Sequence, residues 1–457
     1  MEQGSAEAAC ALAAFAARAD IRHMPQAVVR TAQACLLYAV AVGIAARSAP
    51  MAAMIAQALD LEYGKTPGPV TRMLDGRLVA TGAGAYANAV LLHGRVQEDA
   101  HPAGHVGVVV VPAAIAMAQA QQASGPAILA ALVAGYEVAL RIGRDHVSDS
   151  SARGFRSTPL YGVFGAAAAA GRLAGLDADR MADAIGLAAN FAGGLREFVT
   201  AGTDEFPLHA GMAARDGIHA VQCALTGVHA ARSTIGGDAG FMRAFGEPGK
   251  AYSARLADAL GEQYELARTT YKPYPACQFN RSVIRGMLEL RATTASPWRS
   301  ACIYLHPFEA NFVGMQHTGP FVSFPQTFMS APFCAALAWV DGAVTYRAMH
   351  DFDREPVVSL ARRVRVVADS SVPRYRPRLT IETEDGRNLE WTEDQGEERY
   401  AMTWEAAVEM TRIFCSEAAV APRHADALIE ATLRLDVSPD CDDFLSALKL
   451  AHAHARA

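Results

Sequence analysis

The chain has 457 residues, of which 51% are hydrophobic and 19% charged, and its formal net charge at pH 7 is −6. This length predicts two or three domains with ample buried core. The modest negative charge argues against the basic surface that nucleic-acid binding requires and against a polybasic membrane-binding patch. We therefore expect neither nucleic acid nor membrane as a partner.

The eight cysteines are scattered singly, with no Cys-x-x-Cys pair. This spacing predicts reduced core cysteines rather than a zinc ribbon or a redox motif. The N-terminus lacks the basic segment of a signal peptide, and the apolar stretch 31–46 is too short and too alanine-rich for a membrane span. We expect a cytoplasmic protein.

Up to about residue 260 the chain is rich in alanine, with apolar residues at helical spacing. This pattern favours helices that pack closely against one another. The predicted helices in this part span residues 5–18, 28–46, 126–142, 161–173 and 211–226.

Strand patterns appear between residues 270 and 400, at 301–306, at 364–368 and in a hairpin around Glu384-Asp-Gly-Arg. Helical patterns then return at 404–415, 424–435 and 442–452. We predict a mainly α fold, in which a large all-helical domain is joined by a smaller α+β lid domain. The predicted limits are 1–268 and 401–457 for the two parts of the helical domain and 269–400 for the lid.

The segment from His93 to His105 carries three histidines, two carboxylates, a proline and two glycines. Histidine and carboxylate side chains move protons near neutral pH, and glycine and proline indicate a loop that could present them. A solvated surface turn remains an alternative. We expect no metal, because the spacing differs from that of a helical zinc site and no cysteine lies nearby.

Two further segments carry cations. In Gly154-Phe-Arg-Ser-Thr-Pro159, Arg156 precedes a predicted helix, so that it could bind a carboxylate together with the helix amides, or simply lie on the surface. The segment 207–215 places His209 at a helix start and Arg215 almost two turns later, where a buried core histidine is equally possible.

Lys272 stands between aromatic and proline residues at the point where the composition changes from helical to mixed. A lysine fixed at a domain border is a candidate for a cleft residue. The alternative is a plain interdomain linker.

The order of these motifs resembles the MmgE/PrpD family. Six segments are similar to family motifs and follow in the family order: 93–105, 135–143, 154–176, 208–215, 236–241 and 272–277. The resemblance implies a helical domain with an α/β lid, a homodimer, no organic cofactor and a small carboxylate substrate.

The chain also departs from the lyases of this family. Where they usually carry aspartate, threonine, histidine, lysine and tyrosine, this sequence has Val96, Ala100, Arg156, Phe206 and Phe333. The matching positions that remain, together with neighbouring residues, give the candidate site. The catalytic candidates are His105, Lys272, His101 and Asp99, and the substrate-binding candidates are Arg156, His209, Arg215 and Ser157.

Because much of the lyases' acid equipment is replaced, we expect first an epimerase or isomerase similar to iminodisuccinate epimerase, with His105 and Lys272 as its two bases. The second hypothesis is a lyase of the 2-methylcitrate dehydratase or cis-aconitate decarboxylase type. The third is a non-catalytic family member that binds a carboxylate, since binding needs cations but no acid–base pair.

Overall fold

The computed structural model describes residues 2–64, 66–294 and 296–455. The α-helices of these ranges are α1 (Glu2–Arg18), α2 (Gln26–Ala45), α3 (Pro50–Tyr63), α4 (Thr81–His93), α5 (Gly107–Gln121), α6 (Gly125–Arg144), α7 (Val147–Ala152), α8 (Ser157–Leu173), α9 (Ala178–Ala188), α10 (Glu197–Ala201), α11 (Phe206–Leu225), α12 (Phe241–Phe245), α13 (Arg281–Ala292), α14 (Pro307–Ala310), α15 (Phe324–Met329), α16 (Ala331–Asp341), α17 (Glu355–Ala361), α18 (Trp404–Glu417), α19 (Pro422–Leu433) and α20 (Asp442–His454). The strands are β1 (Val70–Thr71), β2 (Leu78–Val79), β3 (Trp298–Leu305), β4 (Val364–Ala368), β5 (Arg378–Thr383) and β6 (Asn388–Thr392).

Small residues let the central helices approach closely. A Cβ atom on Gly135 of α6 would lie 2.8 Å from the carbonyl oxygen of Gly165 in α8, and one on Gly165 would lie 2.7 Å from that of Gly135. Only glycine fits at such a crossing. The alanine-rich sequence therefore builds a dense stack of helices with α8 at its centre.

The larger sheet has the strand order β4-β3-β5-β6, with β3 and β4 parallel and the other pairs antiparallel. The predicted hairpin around Asp385-Gly386 is confirmed, because β5 and β6 pair across it. Alternate residues of β5 are buried, which gives the sheet one face toward the lid core.

The buried apolar residues form two large cores of different composition. The first is rich in alanine, valine and leucine and draws on residues 12–266 and 402–451. The second is rich in phenylalanine and draws mainly on residues 276–381, with Val96, Phe198, Val199 and Phe206 added from the helical part. The mainly α class with a small α+β part is confirmed. The domain limits at 268 and 400 stay a prediction.

The chain crosses between the two cores where three extended segments meet through isolated β-bridges. Thr270 pairs with Ala100 through two backbone hydrogen bonds of 2.8 Å, and it forms a second bridge with Ala401. Arg281 adds a hydrogen bond of 2.8 Å to the Thr270 hydroxyl. The lid is therefore tied at its base to the loop that follows α4.

Two helices, α2 and α6, are long and apolar enough to cross a membrane by length and composition. Their most apolar windows are 83% and 89% buried inside the protein, as is typical of core helices.

Candidate active site

The loop between α4 and α5 holds the central groups of the site. His93 is the last residue of α4, and the loop then runs to the start of α5 at Gly107. Gly104 has a φ of +140° and is pinned to His101 by two backbone hydrogen bonds, of 2.9 and 3.1 Å. Its missing side chain matters as well, because a Cβ there would lie 3.0 Å from the Ser157 hydroxyl.

Val96 takes a left-handed backbone conformation in this loop, with a φ of +57°. For a β-branched residue this conformation is an outlier, and such strain costs about 1–3 kcal/mol and often accompanies function. The Val96 carbonyl accepts a hydrogen bond of 3.0 Å from Lys272 Nζ. The strained turn thus presents an acceptor to the buried lysine.

Glu98 is the centre of the polar network, and its side chain is 1% exposed. Its Oε1 lies 2.5 Å from Lys272 Nζ, and its Oε2 lies 3.0 Å from His93 Nδ1. Burial by itself would raise the pKa of Glu98, but the charge of Lys272 and the contact with His93 outweigh it and hold the pKa well below its usual range. Glu98 is therefore a carboxylate.

Lys272 is fully buried, with 0% of its side chain exposed. Burial lowers its pKa, and the neighbouring Glu98 carboxylate opposes that shift. Tyr38 of α2 holds this segment against the loop, since its hydroxyl lies 2.5 Å from the Gln97 carbonyl oxygen and accepts a 3.1 Å hydrogen bond from the Lys272 amide. Lys272 is thus a fixed ammonium with a lowered pKa, which makes it a stronger acid than an exposed lysine.

His93 connects Glu98 to Arg156. The Arg156 guanidinium donates to His93 Nε2, so the proton of the neutral ring lies on Nδ1 and is donated to Glu98. Burial lowers the pKa of His93 to about 4. Arg156 also donates to the Phe206 carbonyl oxygen, and burial lowers its pKa to about 10. The result is a buried series of hydrogen bonds that runs from Arg156 through His93 and Glu98 to Lys272.

His105 lies beside this chain and has a partly open side chain, 21% exposed. Its Nδ1 is 3.2 Å from the Asp99 carbonyl oxygen and 3.7 Å from Glu98 Oε1. Because a carbonyl only accepts, Nδ1 carries the proton and Nε2 keeps its lone pair. Burial, and then the charge of Lys272, lower the pKa of His105 well below its usual range. His105 is therefore placed to act as a base at neutral pH.

These groups line a cavity of about 110 Å³ between the helical part and the lid. Arg156, Lys272, Arg196 and Arg374 bring four cations to its wall, against the single carboxylate of Glu98. The wall also includes six phenylalanines, Phe198, Phe206, Phe279, Phe308, Phe312 and Phe328. A cavity with this excess of positive charge suits an anion that carries more than one negative charge.

Sequence reasoning missed Glu98, His93, Arg196 and Arg374. Glu98 and His93 belong to the loop segment that the sequence singles out, but the choice between adjacent acids needs the direction of each side chain. Arg196 follows Gly193-Gly194-Leu195, and Arg374 precedes Tyr375 in the lid. Arg196 lines the cavity, and its buried Nε has no hydrogen-bond partner in the described ranges.

Two predicted catalytic residues point away from the cavity. Asp99 turns into the helical core, where its Oδ2 accepts a 2.6 Å hydrogen bond from the Tyr136 hydroxyl. Burial raises the pKa of Asp99 to about 7. His101 is buried 3.3 Å from Glu265 Oε2, on the other side of the loop. Neither residue lines the cavity, so the structure does not bring them together with His105 and Lys272, and their catalytic role stays a prediction.

The predicted binding residues divide in the same way. Arg156 and Ser157 line the cavity. His209 lies behind Arg156, 3.4 Å from its Nη1, and burial and Arg156 lower the pKa of His209 to about 4. Arg215 lies in a separate surface groove, with its Nε 2.8 Å from Asp216 Oδ1. Arg215 therefore does not line this cavity, and its contact with a substrate stays a prediction.

Within the described residues, no three histidine, cysteine, aspartate or glutamate side chains are grouped so that they could hold a metal ion. The arrangement of an ammonium, a neutral imidazole and a carboxylate can instead hold and transfer protons beside a bound anion. This is the class of site expected of an acid–base enzyme.

The family model for the MmgE/PrpD N-terminal domain matches residues 10–252. The chain belongs to this family, as the order of its motifs predicts.

Curated relatives match stretches of similar length. A cis-aconitate decarboxylase-like protein of Aspergillus oryzae is 32% identical over 205 residues, which is 43% of this chain and 42% of the relative. The cis-aconitate decarboxylase of Mus musculus is 28% identical over 208 residues, 44% of this chain and 42% of that protein. That of Homo sapiens is 26% identical over 269 residues, 56% of this chain and 54% of that protein. The chain thus matches about half of the length of these relatives.

Proposed function

We propose that this chain is a lyase that acts on a small di- or tricarboxylate by the decarboxylase type of chemistry, with its own side chains as acid and base. The observation that carries the proposal is the buried series of hydrogen bonds that joins Arg156, His93, Glu98 and Lys272 beside the neutral His105. The relatives named as cis-aconitate decarboxylases support the lyase, so the epimerase that the sequence favours becomes the second candidate.

Binding would use the excess of positive charge. Arg156, Arg196 and Arg374 all line the cavity, so two carboxylates of one substrate could each meet a guanidinium. Phe279 and Phe308 also line the cavity, and a carboxylate placed against these rings would have few solvent contacts. Loss of hydration favours decarboxylation, because the negative charge spreads out as carbon dioxide forms.

The reaction then needs one proton on carbon. The bond between the substrate carbon and its carboxylate breaks, carbon dioxide leaves, and the remaining electron pair takes a proton from the Lys272 ammonium. Glu98 steadies that ammonium at 2.5 Å before the transfer. Where the double bond has to shift, the electron pair of the broken bond forms the new double bond and the displaced π pair takes that proton instead, so one proton is added and none is removed. Neutral His105, which is partly open to solvent, would then take up a proton from the solvent and return it to Lys272.

An epimerase would use the same two groups differently. An epimerase removes a proton from carbon and returns one, which requires a base and an acid in one cavity. The presence of neutral His105 and charged Lys272 therefore favours this second candidate. However, Lys272 Nζ and His105 Nδ1 lie 2.5 and 3.7 Å from the same oxygen of Glu98. Inversion needs the two groups on opposite faces of one carbon, so we place the lyase first.

The test is to incubate the purified chain with cis-aconitate and with a panel of saturated and hydroxylated tricarboxylates in heavy water. We expect release of carbon dioxide and one deuterium on the product carbon, and loss of both in Lys272→Met. Deuterium exchange without carbon dioxide would favour the epimerase. Binding without either reaction would favour the non-catalytic family member.

The homodimer that the family resemblance implies is part of this proposal, as is activity without a metal or organic cofactor. Sedimentation of the purified chain tests the first point. Activity after treatment with a chelator and dialysis tests the second.

A further inference from the structure

A second cavity, of about 430 Å³, lies at the other end of α5 and shares no lining residue with the candidate active site. Its walls come from α20, from α5 and from the segment that contains β1 and the following turn. Its volume falls within the range of about 300–1,000 Å³ that is usual for small-molecule sites.

His452 of α20 lines this cavity and is only 3% exposed. Neither of its ring nitrogens has a hydrogen-bond partner in the part of the chain that the structure describes. Burial, and then Arg47, lower the pKa of His452 to about 3, so that the ring is neutral with one donor and one acceptor. Buried polar groups of this kind are normally satisfied, and this ring faces a cavity large enough for a ligand.

Two cations accompany His452. Arg47 donates to the Leu74 carbonyl oxygen at 2.6 Å, and its buried Nε has no partner within the described residues. Lys449 is exposed at the rim, one turn before His452 on α20. The single carboxylate of the lining, Asp75, is held by Arg72 at 2.5 Å and by the Arg77 amide at 3.2 Å, so its charge is already compensated.

The remaining wall is mainly apolar and includes Ile115, Leu448 and Met73, while its other two polar side chains, Thr71 and Gln119, bond to each other at 3.1 Å. A ligand that fits both parts has an anionic end and a hydrocarbon body. We propose that this cavity is a binding site for a small organic monocarboxylate, whose carboxylate accepts from His452 and lies between Lys449 and Arg47 while its hydrocarbon part packs against Ile115 and Leu448.

The test is calorimetric titration of the full chain with octanoate. We expect one binding event per chain. Lys449→Ala and His452→Leu should each weaken it about tenfold or more, because a hydrogen bond or ion pair to a carboxylate is lost. His454→Ala is the matched control, since it removes an exposed histidine from the same helix and should leave the affinity unchanged. Octanol, which lacks the charge, should bind at least about tenfold more weakly.

Lys449 is exposed, so its variant should fold even if His452→Leu does not. The proposal is overturned if octanoate gives no binding heat at millimolar concentration, which would leave the cavity to water alone. Equal affinity in Lys449→Ala and in the unmodified chain also overturns it. So does binding that is lost in Arg156→Gln and kept in both cavity variants, because octanoate would then occupy the candidate active site.

Discussion

Glu98 and Asp99 are consecutive carboxylates in one loop, both buried, and their environments are opposite. Glu98 faces the cavity and meets Lys272 and His93, whereas Asp99 faces the helical core, where its carboxylate accepts a hydrogen bond of 2.6 Å from the Tyr136 hydroxyl. The pKa of Glu98 is accordingly held well below its usual range, and burial raises that of Asp99 to about 7. Burial alone does not decide the charge of a carboxylate, because the partner that it meets decides it.

The different environments of Glu98 and Asp99 are tested most strongly by neutralising each carboxylate in turn. We expect Glu98→Gln to lower kcat by a factor of about 10²–10⁴, because Lys272 loses its counter-charge and its orientation. Asp99→Asn should lower kcat less than about tenfold, since the side chain does not reach the cavity. Steady-state kinetics of both variants, with the substrate that the heavy-water assay identifies, measure the two losses. Equal losses would contradict the assignment of Glu98 to the cavity and of Asp99 to the core.

The ion pair itself can be tested through stability. Glu98→Gln or Lys272→Met alone should lower the free energy of unfolding by about 3–5 kcal/mol, because each leaves a buried charge unpaired. The double variant should regain most of that loss, since no lone charge remains. Urea denaturation of the three variants measures this, and strictly additive losses would argue against a direct pair.

The core-facing carboxylate should have its own signature in the dependence of stability on pH. The folded-state pKa of Asp99, about 7, lies above its unfolded value. Its contribution to stability is therefore complete at acid pH and is lost as the pH rises towards 7. Relative to Asp99→Asn, the unmodified chain should lose about 1.4 kcal/mol per pH unit within this window. Denaturant melts of both proteins from pH 4 to pH 8 provide the test, and a constant difference would refute the assignment.

The two arginines predicted from the sequence extend the comparison to substrate binding. In a Lys272→Met background, which prevents turnover, Arg156→Gln should weaken cis-aconitate binding about tenfold or more, because a charged donor is lost from the cavity. Arg215→Gln should leave the affinity unchanged, since that residue lies in another groove. Calorimetry compares the two variants, and a loss in Arg215→Gln would return that residue to the site.

The smallest expected effect concerns His105. Because its pKa lies well below its usual range, the neutral base persists as the medium becomes mildly acidic. We expect kcat/KM at pH 6 to stay within about twofold of its value at pH 7.5, and to fall only at lower pH. An acid limb centred near pH 6.5, the value of an ordinary histidine, would show that the ring is not desolvated as described.

Sequence reasoning reached the elements and the loop because both leave local patterns. Helical periodicity located α2, α6 and α18, and the Asp385-Gly386 turn located the hairpin. The sequence-based prediction placed the start of α8 near Tyr161, whereas the helix starts at Ser157. Ser157, Thr158 and Pro159 form its first turn and do not belong to the preceding loop.

The side-chain directions could not be obtained in this way. Nothing in the sequence distinguishes Glu98 from Asp99, since the strained turn at Val96 decides which of them meets Lys272. The expectation that Arg215 and His209 lie in one site meets a simpler geometric obstacle. Six residues along a helix correspond to about 600°, so the two side chains leave α11 on different sides. Arg374 enters the cavity only because the lid folds over the helical part, which no local pattern reports.

The junction at Thr270 gives the lid a mechanical role. Its backbone hydrogen bonds join the base of the lid directly to Ala100, two residues after Glu98, while Lys272 follows two residues later in the same segment. A hinge rotation that admits a substrate to a cavity of about 110 Å³ would therefore pull on the same peptides that bring Glu98 and Lys272 together. Opening of the lid would thereby disturb the Glu98–Lys272 pair, so that substrate entry and the placement of the acid would depend on the same two hydrogen bonds.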